Sequence, residues 1–276
     1  MKSVKIASPM FILRNECKEN MFEVLEKISS IGFDGVELLG LYDYDPVSIR
    51  EKLDELSLTA IGNHVDYSSF EKRTEETIEA HKIIGCEYIT IGGPAMQQLT
   101  NPSYIQKYLD DLTDIGKKCM EHGLQLLYHN HAYELQTKID DDFLLDYILN
   151  HVSKEWLGFE ADLGWIAIAG GNPLAYLKRY QTRCPVIHLK DFYAADIDGI
   201  GDISTLGDQR GGPENAYFEF RPTGYGIVNT PALLDFVNAC NPDWLVVDHD
   251  LAYDRDTYKD LKLSLDFVKT LYGIHL

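Results

Sequence analysis

One local rhythm constrains this chain more than any other feature: an amphipathic helical stretch, a glycine suited to end it in the left-handed region, then a short β-rich run. Three copies stand out. Met21 to Ser30 leads through Gly32 into Phe33-Asp34-Gly35-Val36-Glu37-Leu38; Thr74 to Ile83 leads through Gly85 into Tyr88-Ile89-Thr90-Ile91; Tyr104 to Glu121 leads through Gly123 into Leu124 to Tyr128. The same pattern marks eight strands: Val4–Ser8, Gly35–Leu38, Leu58–Gly62, Tyr88–Ile91, Leu124–His129, Leu157–Ala161, Val186–Leu189 and Leu245–Asp248. Between them run stretches with apolar residues at spacings of three and four, such as Phe143, Leu144, Tyr147 and Ile148. Eight βα units predict a closed (β/α)8 TIM barrel, a single α/β domain over residues 1–276. The length of 276 residues suits that fold, and no Pro/Ser-rich linker divides the chain. A doubly wound open sheet is disfavoured because no G-x-G-x-x-G follows the first strand, and no nucleotide cofactor is expected.

Residues 191–228 break the rhythm. They are rich in Gly, Asp and Pro, among them Gly199, Gly201, Gly207, Gly211, Gly212, Pro213 and Gly226. As a long loop after the seventh strand, the segment falls on the face where barrel active sites sit and is expected to be either a lid or a solvated insertion. Composition excludes other partners. Acidic residues outnumber basic ones 44 to 25, a formal charge of −19, which repels a phosphate backbone, and no Lys/Arg cluster opposes it. No apolar run approaches the roughly 18 residues of a membrane span, and the N-terminus starts as a strand rather than as a secretory leader. Cys17, Cys86, Cys119, Cys184 and Cys240 are widely spaced and form no C-x-x-C pair. They are expected to be small buried hydrophobes in a reducing cytoplasm. A homo-oligomer is allowed but not specified.

Polar residues gather where four of the strands end. The fifth ends in Tyr128-His129-Asn130-His131-Ala132-Tyr133-Glu134, the sixth in Glu160-Ala161-Asp162-Leu163-Gly164-Trp165, the seventh holds His188-Leu189-Lys190-Asp191, and the eighth ends in Asp248-His249-Asp250. Side chains alternate along a strand, so His188 and Lys190 point the same way, as do His129 and His131. Mixed imidazole and carboxylate donors suit Mn²⁺, Mg²⁺, Co²⁺ or Zn²⁺, and the absence of Cys from these runs argues against a thiolate structural site. Each residue alone has a plainer role as a hydrogen-bonded strand end or a helix N-cap. Four clusters at matching ends of separate strands point instead to one shared site, with a catalytic divalent metal as the leading expectation.

Tyr128 to Glu134, Asp162-Leu-Gly-Trp165, Val186-Ile-His-Leu-Lys-Asp191, Gly224-Tyr-Gly226 and Trp244-Leu-Val-Val-Asp248 resemble, in order, the motifs of the sugar phosphate isomerase/epimerase superfamily of xylose-isomerase-like TIM barrels. With Ile31-Gly-Phe-Asp-Gly-Val-Glu-Leu38 at the second strand, the resemblance covers essentially the whole chain. It is specific to the superfamily and unspecific for substrate. The resemblance implies one divalent metal, Mn²⁺ first among the four, held by Glu, Asp, His and Glu at successive strand ends. Asp162, His188 and Asp248 match the last three positions. Asp248 is shorter than the usual Glu, so the metal sits closer, a water bridges, or His249 or Asp250 assists. At the first position the chain has His129-Asn130-His131; Glu134 is narrowly favoured as the ligand there, with His131 next and His129 as a further substitute.

The resemblance also implies the chemistry, that of an isomerase or epimerase; despite the superfamily's name, the weak phosphate-binding signals lead to the expectation of an unphosphorylated sugar, keto-sugar or cyclitol. A base removes the proton beside a carbonyl and leaves a metal-stabilised enediolate. His129 and His131 are the candidate bases, Glu134 and Asp248 the alternates, and Lys190 is expected to stabilise the enediolate. Glu37, His64 and His249 are candidate contacts for sugar hydroxyls, and Trp165, Phe192 and Tyr225 candidate apolar walls. Loss of a β-hydroxyl from the same intermediate makes the enzyme a lyase, such as an inosose dehydratase or a keto-glycoside eliminating enzyme. A non-catalytic sugar-binding barrel is a second alternative, motivated by Asp248. An abasic-site endonuclease is disfavoured, having too few His ligands and no basic surface. Gly92-Gly93-Pro94 and Gly170-Gly171-Asn172-Pro173 offer backbone N–H groups to an anion, but serve as readily as loop punctuation.

Overall fold

The helices end where the glycines predict. In the computed structural model, which describes residues 4–93, 101–196 and 217–273, helix Arg14–Ile31 stops at Gly32 with φ 99° and Thr74–Ile84 at Gly85 with φ 85°. A side chain at that φ meets its own backbone, so glycine is the low-cost stop. Helix starts are equally local. Asp45, Asn101, Asn172 and Thr230 each stand before a proline and accept a backbone N–H of the first turn, satisfying a donor that the helix leaves without a partner.

Twelve strands lie in the described residues: β1 (Lys5–Pro9), β2 (Gly35–Leu39), β3 (Thr59–Val65), β4 (Tyr88–Ile91), β5 (Gln125–His129), β6 (Lys138–Ile139), β7 (Asp142–Phe143), β8 (Gly158–Asp162), β9 (Val186–His188), β10 (Asp191–Ala194), β11 (Phe218–Arg221) and β12 (Trp244–Val246). Eight of them close into a parallel barrel in the order β1-β12-β9-β8-β5-β4-β3-β2. This is the expected (β/α)8 architecture. β6 with β7 and β10 with β11 form two small antiparallel pairs outside it. The Gly/Pro-rich segment is therefore a paired hairpin at its ends; Gly199, Gly201, Gly207, Gly211, Gly212 and Pro213 lie outside the described residues.

Period-two alternation divides the apolar residues. Outward-facing Ile6, Leu126, Ile187 and Leu245 join the layer packed under the helices. Ala7, Ile61, Tyr88, Leu127, Val186, Trp244 and Val246 form a separate buried cluster. Leu127, Val186 and Val246 stand one pleat step, two residues, before His129, His188 and Asp248. An apolar floor thus lies beneath the polar residues at the strand ends and holds them at the mouth. All five cysteines are free thiols, four of them buried, and no described helix is long and apolar enough to cross a membrane.

Candidate active site

The C-terminal ends of the strands enclose a cavity of about 260 Å³. Phe11, Leu38, Leu39 and Trp165 supply apolar wall, and Glu37, His64, His129, His131, His188, Lys190, Asp248 and Asp250 supply the polar lining. Glu160 and Asp162 are fully buried just behind it. Glu37 comes from β2, His64 from β3, His129 from β5, Glu160 and Asp162 from β8, and His188 from β9. Residues remote in sequence meet because each ends a strand of one closed sheet.

Two donor groups share His188. In the first, His64 Nε2 lies 2.9 Å from Glu160 Oε1 and 3.2 Å from Glu37 Oε2, while His188 Nε2 lies 3.0 Å from Glu37 Oε2 and 3.3 Å from Glu160 Oε1. Despite these distances, His64 Nε2 and His188 Nε2 have no aligned hydrogen-bond partner among the described residues. The second group is Asp162, His188 and Asp248, with donor atoms within 4.8 Å of one another. Asp248 Oδ2 accepts from His188 Nδ1 at 3.1 Å.

Lys190 occupies the second group. Its ammonium is 2.8 Å from Asp248 Oδ2, 3.4 Å from Asp162 Oδ2, and in contact with Asp250 Oδ1. The Trp165 and Phe220 rings lie 5.2 and 5.7 Å from it, a favourable setting for a buried cation. Gly164 makes room: a Cβ there would come within 2.7 Å of Lys190 Cβ and 2.8 Å of its Cγ.

These juxtapositions set the protonation tendencies. Burial alone disfavours charge on His64, but Glu37 and Glu160 outweigh it and push the imidazole up to about 10. His188 is raised against burial by the same two carboxylates and by Asp248. Lys190 is held above its ordinary range by Asp248, Asp250 and Asp162, again against burial. His129 goes the other way, since burial dominates and keeps it neutral. Asp162 is pushed up to about 6 by burial, which Lys190 only partly offsets. Burial opposes ionisation of Asp248 too, but Lys190 and His188 prevail and hold it low.

Several expected residues lie elsewhere. Glu134 belongs to neither donor group: its oxygens accept from Tyr128 Oη at 3.0 Å and His131 N at 2.8 Å, fixing the turn that carries His131. His131 is also outside both groups; its side chain is 41% exposed at the cavity and stacks on Tyr133 at 5.9 Å. His249 is buried with Nε2 3.5 Å from Asp260 Oδ2, because the pleat that turns Asp248 and Asp250 inward turns it outward. Phe192 packs on Phe218 outside the cavity, and Tyr225 is exposed beside Phe267. Gly93 abuts the Tyr128 and Tyr133 hydroxyls, where a Cβ would not fit, so close packing accounts for that glycine without an anion. Glu160 was not among the expected site residues. Its signal was the spacing: two residues before Asp162, it faces the same way.

Among the described residues, the five carboxylates of the mouth, Glu37, Glu160, Asp162, Asp248 and Asp250, face one ammonium and the imidazoles of His64 and His188. Buried anionic excess of this kind calls for a further cation or for protons.

Known proteins share this framework. The family model for the xylose isomerase-like TIM barrel matches residues 25–270. Inosose dehydratase 2 of Bacillus cereus is 24% identical over 254 residues, which make up 83% of this chain and 82% of that protein. A sugar phosphate isomerase/epimerase from Parabacteroides distasonis ATCC 8503 superposes with a TM-score of 0.74 at 14% identity, over 98% of this chain and 97% of that one. The IOLI protein with a bound zinc atom superposes with a TM-score of 0.70 at 15% identity, over 99% of both chains. With eight strands closed in this order and the match running almost end to end, the chain belongs to the xylose isomerase-like TIM-barrel family, a family of enzymes.

Proposed function

We propose that the protein removes a proton from the carbon beside a carbonyl of an unphosphorylated sugar, keto-sugar or cyclitol, and that departure of a β-hydroxyl completes the reaction as a dehydration. The single observation that carries this is His131. Among the described imidazoles that line the cavity, it alone stands clear of the carboxylate cluster of Glu37, Glu160, Asp162 and Asp248, and its side chain is 41% exposed there. His64 and His188 face Glu37 and Glu160, and His129 Nδ1 is bonded to Glu160 Oε1 at 2.9 Å. One accessible base suits elimination, or a 1,2-proton shift, better than two-base epimerisation on opposite faces of a carbon. The inosose dehydratase relatives favour the elimination; a metal-dependent isomerase is the second reading, supported by the isomerase/epimerase neighbour.

The residues fit a divalent cation. Among the described residues, Glu37 Oε1, His64 Nε2 and His188 Nε2 are buried without aligned hydrogen bonds, and imidazole with carboxylate is a donor set for Mn²⁺, Mg²⁺, Co²⁺ or Zn²⁺. When bound, such an ion supplies Lewis-acid polarisation of the substrate carbonyl. In this proposal Glu134 anchors the His131 turn so that the imidazole faces the substrate, Trp165 and Phe11 flank the sugar ring, and Lys190 presents positive charge from the cavity floor toward a developing oxyanion. Asp162, Asp248 and Asp250 hold that ammonium in place. The cavity volume suits one polyhydroxy ring, and the acidic lining disfavours a phosphate group.

The test is incubation with a panel of keto-inositols and ketohexoses in D₂O. Loss of water with substrate deuteration supports the dehydratase, whereas a mass-conserving product supports the isomerase. His131→Gln is expected to lower turnover by about 10²–10⁴. Wild-type protein that neither exchanges nor converts any member of the panel refutes the reading.

A further inference from the structure

We infer that the divalent cation is held by Glu37, His64, Glu160 and His188, and that Lys190 takes the place between Asp162 and Asp248 where the motif resemblance puts a metal. The inference rests on the proposed cation dependence and says which residues serve it. Glu37 Oε2, His64 Nε2, Glu160 Oε1 and His188 Nε2 form a closed ring with successive separations of 3.2, 2.9, 3.3 and 3.0 Å. Donors about 2.1 Å from one ion stand roughly 3.0 Å apart at octahedral corners and roughly 3.4 Å apart at tetrahedral ones, so the ring has the dimensions of a coordination shell.

The ring's contacts are at ion-pair distances without the alignment of hydrogen bonds. Neither imidazole nitrogen makes a hydrogen bond to the carboxylates beside it, although His188 is 2% exposed and Glu37 4%. The surrounding bonds are those that orient metal ligands. Asp248 takes the Nδ1 side of His188 and leaves Nε2 aimed at the ring. Thr90 Oγ1 donates to Glu160 Oε2 at 2.9 Å and His129 Nδ1 bonds Oε1. A carboxylate on the second imidazole nitrogen and hydrogen bonds on a ligating carboxylate fix their aim. Asp248 is thus a positioning residue.

The Asp162–Asp248 group is already served. Asp162 Oδ2 makes no hydrogen bond among the described residues but lies 3.4 Å from the Lys190 ammonium, and Asp248 Oδ2 lies 2.8 Å from it. A divalent ion between these aspartates would stand against a buried ammonium held from its other side by Asp250.

Metal-stripped protein titrated with Mn²⁺ separates the two arrangements, with affinity followed by the EPR signal of free Mn²⁺ and coordinated imidazoles counted by pulsed EPR. The wild type is expected to bind one ion with two imidazoles. His64→Gln should bind at least about 100-fold more weakly and with one imidazole, and Glu160→Gln should lose affinity similarly. Asp162→Asn, which keeps an oxygen for the helix cap, should stay within about threefold of the wild type. One imidazole in the wild type, or a loss in Asp162→Asn matching that in His64→Gln, overturns the assignment and leaves the cation proposal standing. No Mn²⁺ binding by the wild type defeats both. The wild-type imidazole count needs no variant to fold.

Discussion

Asp191→Ala should release the chain that follows β11 while leaving the barrel closed. The Asp191 carboxylate is fully buried and accepts four backbone N–H groups: Phe192 and Val228 at 3.0 Å each on Oδ1, and Gly224 at 2.9 Å and Gly226 at 3.2 Å on Oδ2. Burial pushes this carboxyl up, and the N–H donors only partly compensate. Gly226 is required by the approach, since a Cβ there would sit 2.2 Å from Asp191 Oδ1. Hydrogen bonds to a charged group contribute about 1.5–3 kcal/mol each, so four set a ceiling near ~6–12 kcal/mol. Desolvating the carboxylate costs several kcal/mol in return, which leaves about 3–5 kcal/mol holding the segment closed. At about 1.4 kcal/mol per tenfold, amide exchange at Gly224, Gly226 and Val228 should accelerate by roughly 10² to 4 × 10³ in Asp191→Ala, with β5 amides unchanged. Asp191→Asn, which keeps one acceptor and adds a competing donor, should fall between. Hydrogen exchange read by mass spectrometry or NMR decides it: acceleration below about threefold at these three amides, or equal acceleration across the barrel, refutes the anchoring role.

Gly164→Ala should press on the Lys190 stem, costing about 1–3 kcal/mol of stability as an overpacked site and lowering turnover more than a distant substitution of equal cost; unchanged kcat with a lowered urea midpoint would show that Lys190 tolerates the shift. Arg183 is buried and donates to the carbonyls of Leu149, Val152 and Leu157, so Arg183→Met should cost about 3–5 kcal/mol in urea unfolding by leaving carbonyls unpaired. His81 is buried, accepts from Asn63 Nδ2 at 3.0 Å and donates to Thr77 O, and burial lowers its pKa below 6.5. The unfolded chain therefore binds the extra proton first: the contribution is complete above about pH 6.5 and is lost as pH falls below that value toward the folded-state pKa. His81→Gln should flatten the slope of unfolding free energy between pH 7.5 and 5.5 by up to about 1.4 kcal/mol per pH unit, and an unaltered slope would contradict a buried neutral imidazole. With the proposed cation bound to the folded state alone, a chelator should lower the melting temperature and Mn²⁺ restore it in proportion to the logarithm of its concentration; a melting temperature indifferent to both would count against the cation proposal.

The sequence by itself determined the barrel. Helix stops at Gly32 and Gly85, caps such as Asp45 and Asn101, and alternating apolar strands are decided within a few residues of one another, so the eight-unit rhythm and the set of strand ends were legible without coordinates. So was the gathering of His64, His129, His188, Lys190 and Asp248 at one mouth, because every strand of a parallel barrel ends on the same face. What tertiary structure alone decided is which charge meets which. Neighbouring strands are staggered, with Asp162 level with His188 and Glu160 level with Val186; that offset puts Glu160 beside His64 and His129, and leaves Asp162 to Lys190. The room that Gly164 leaves for the lysine stem, the use of Glu134 to fix a turn, and the outward turn of His249 likewise depend on packing across the barrel. Electrostatic pairing in a buried site follows distances of 3 to 4 Å set by strand tilt and side-chain length, and no local pattern in the chain records them.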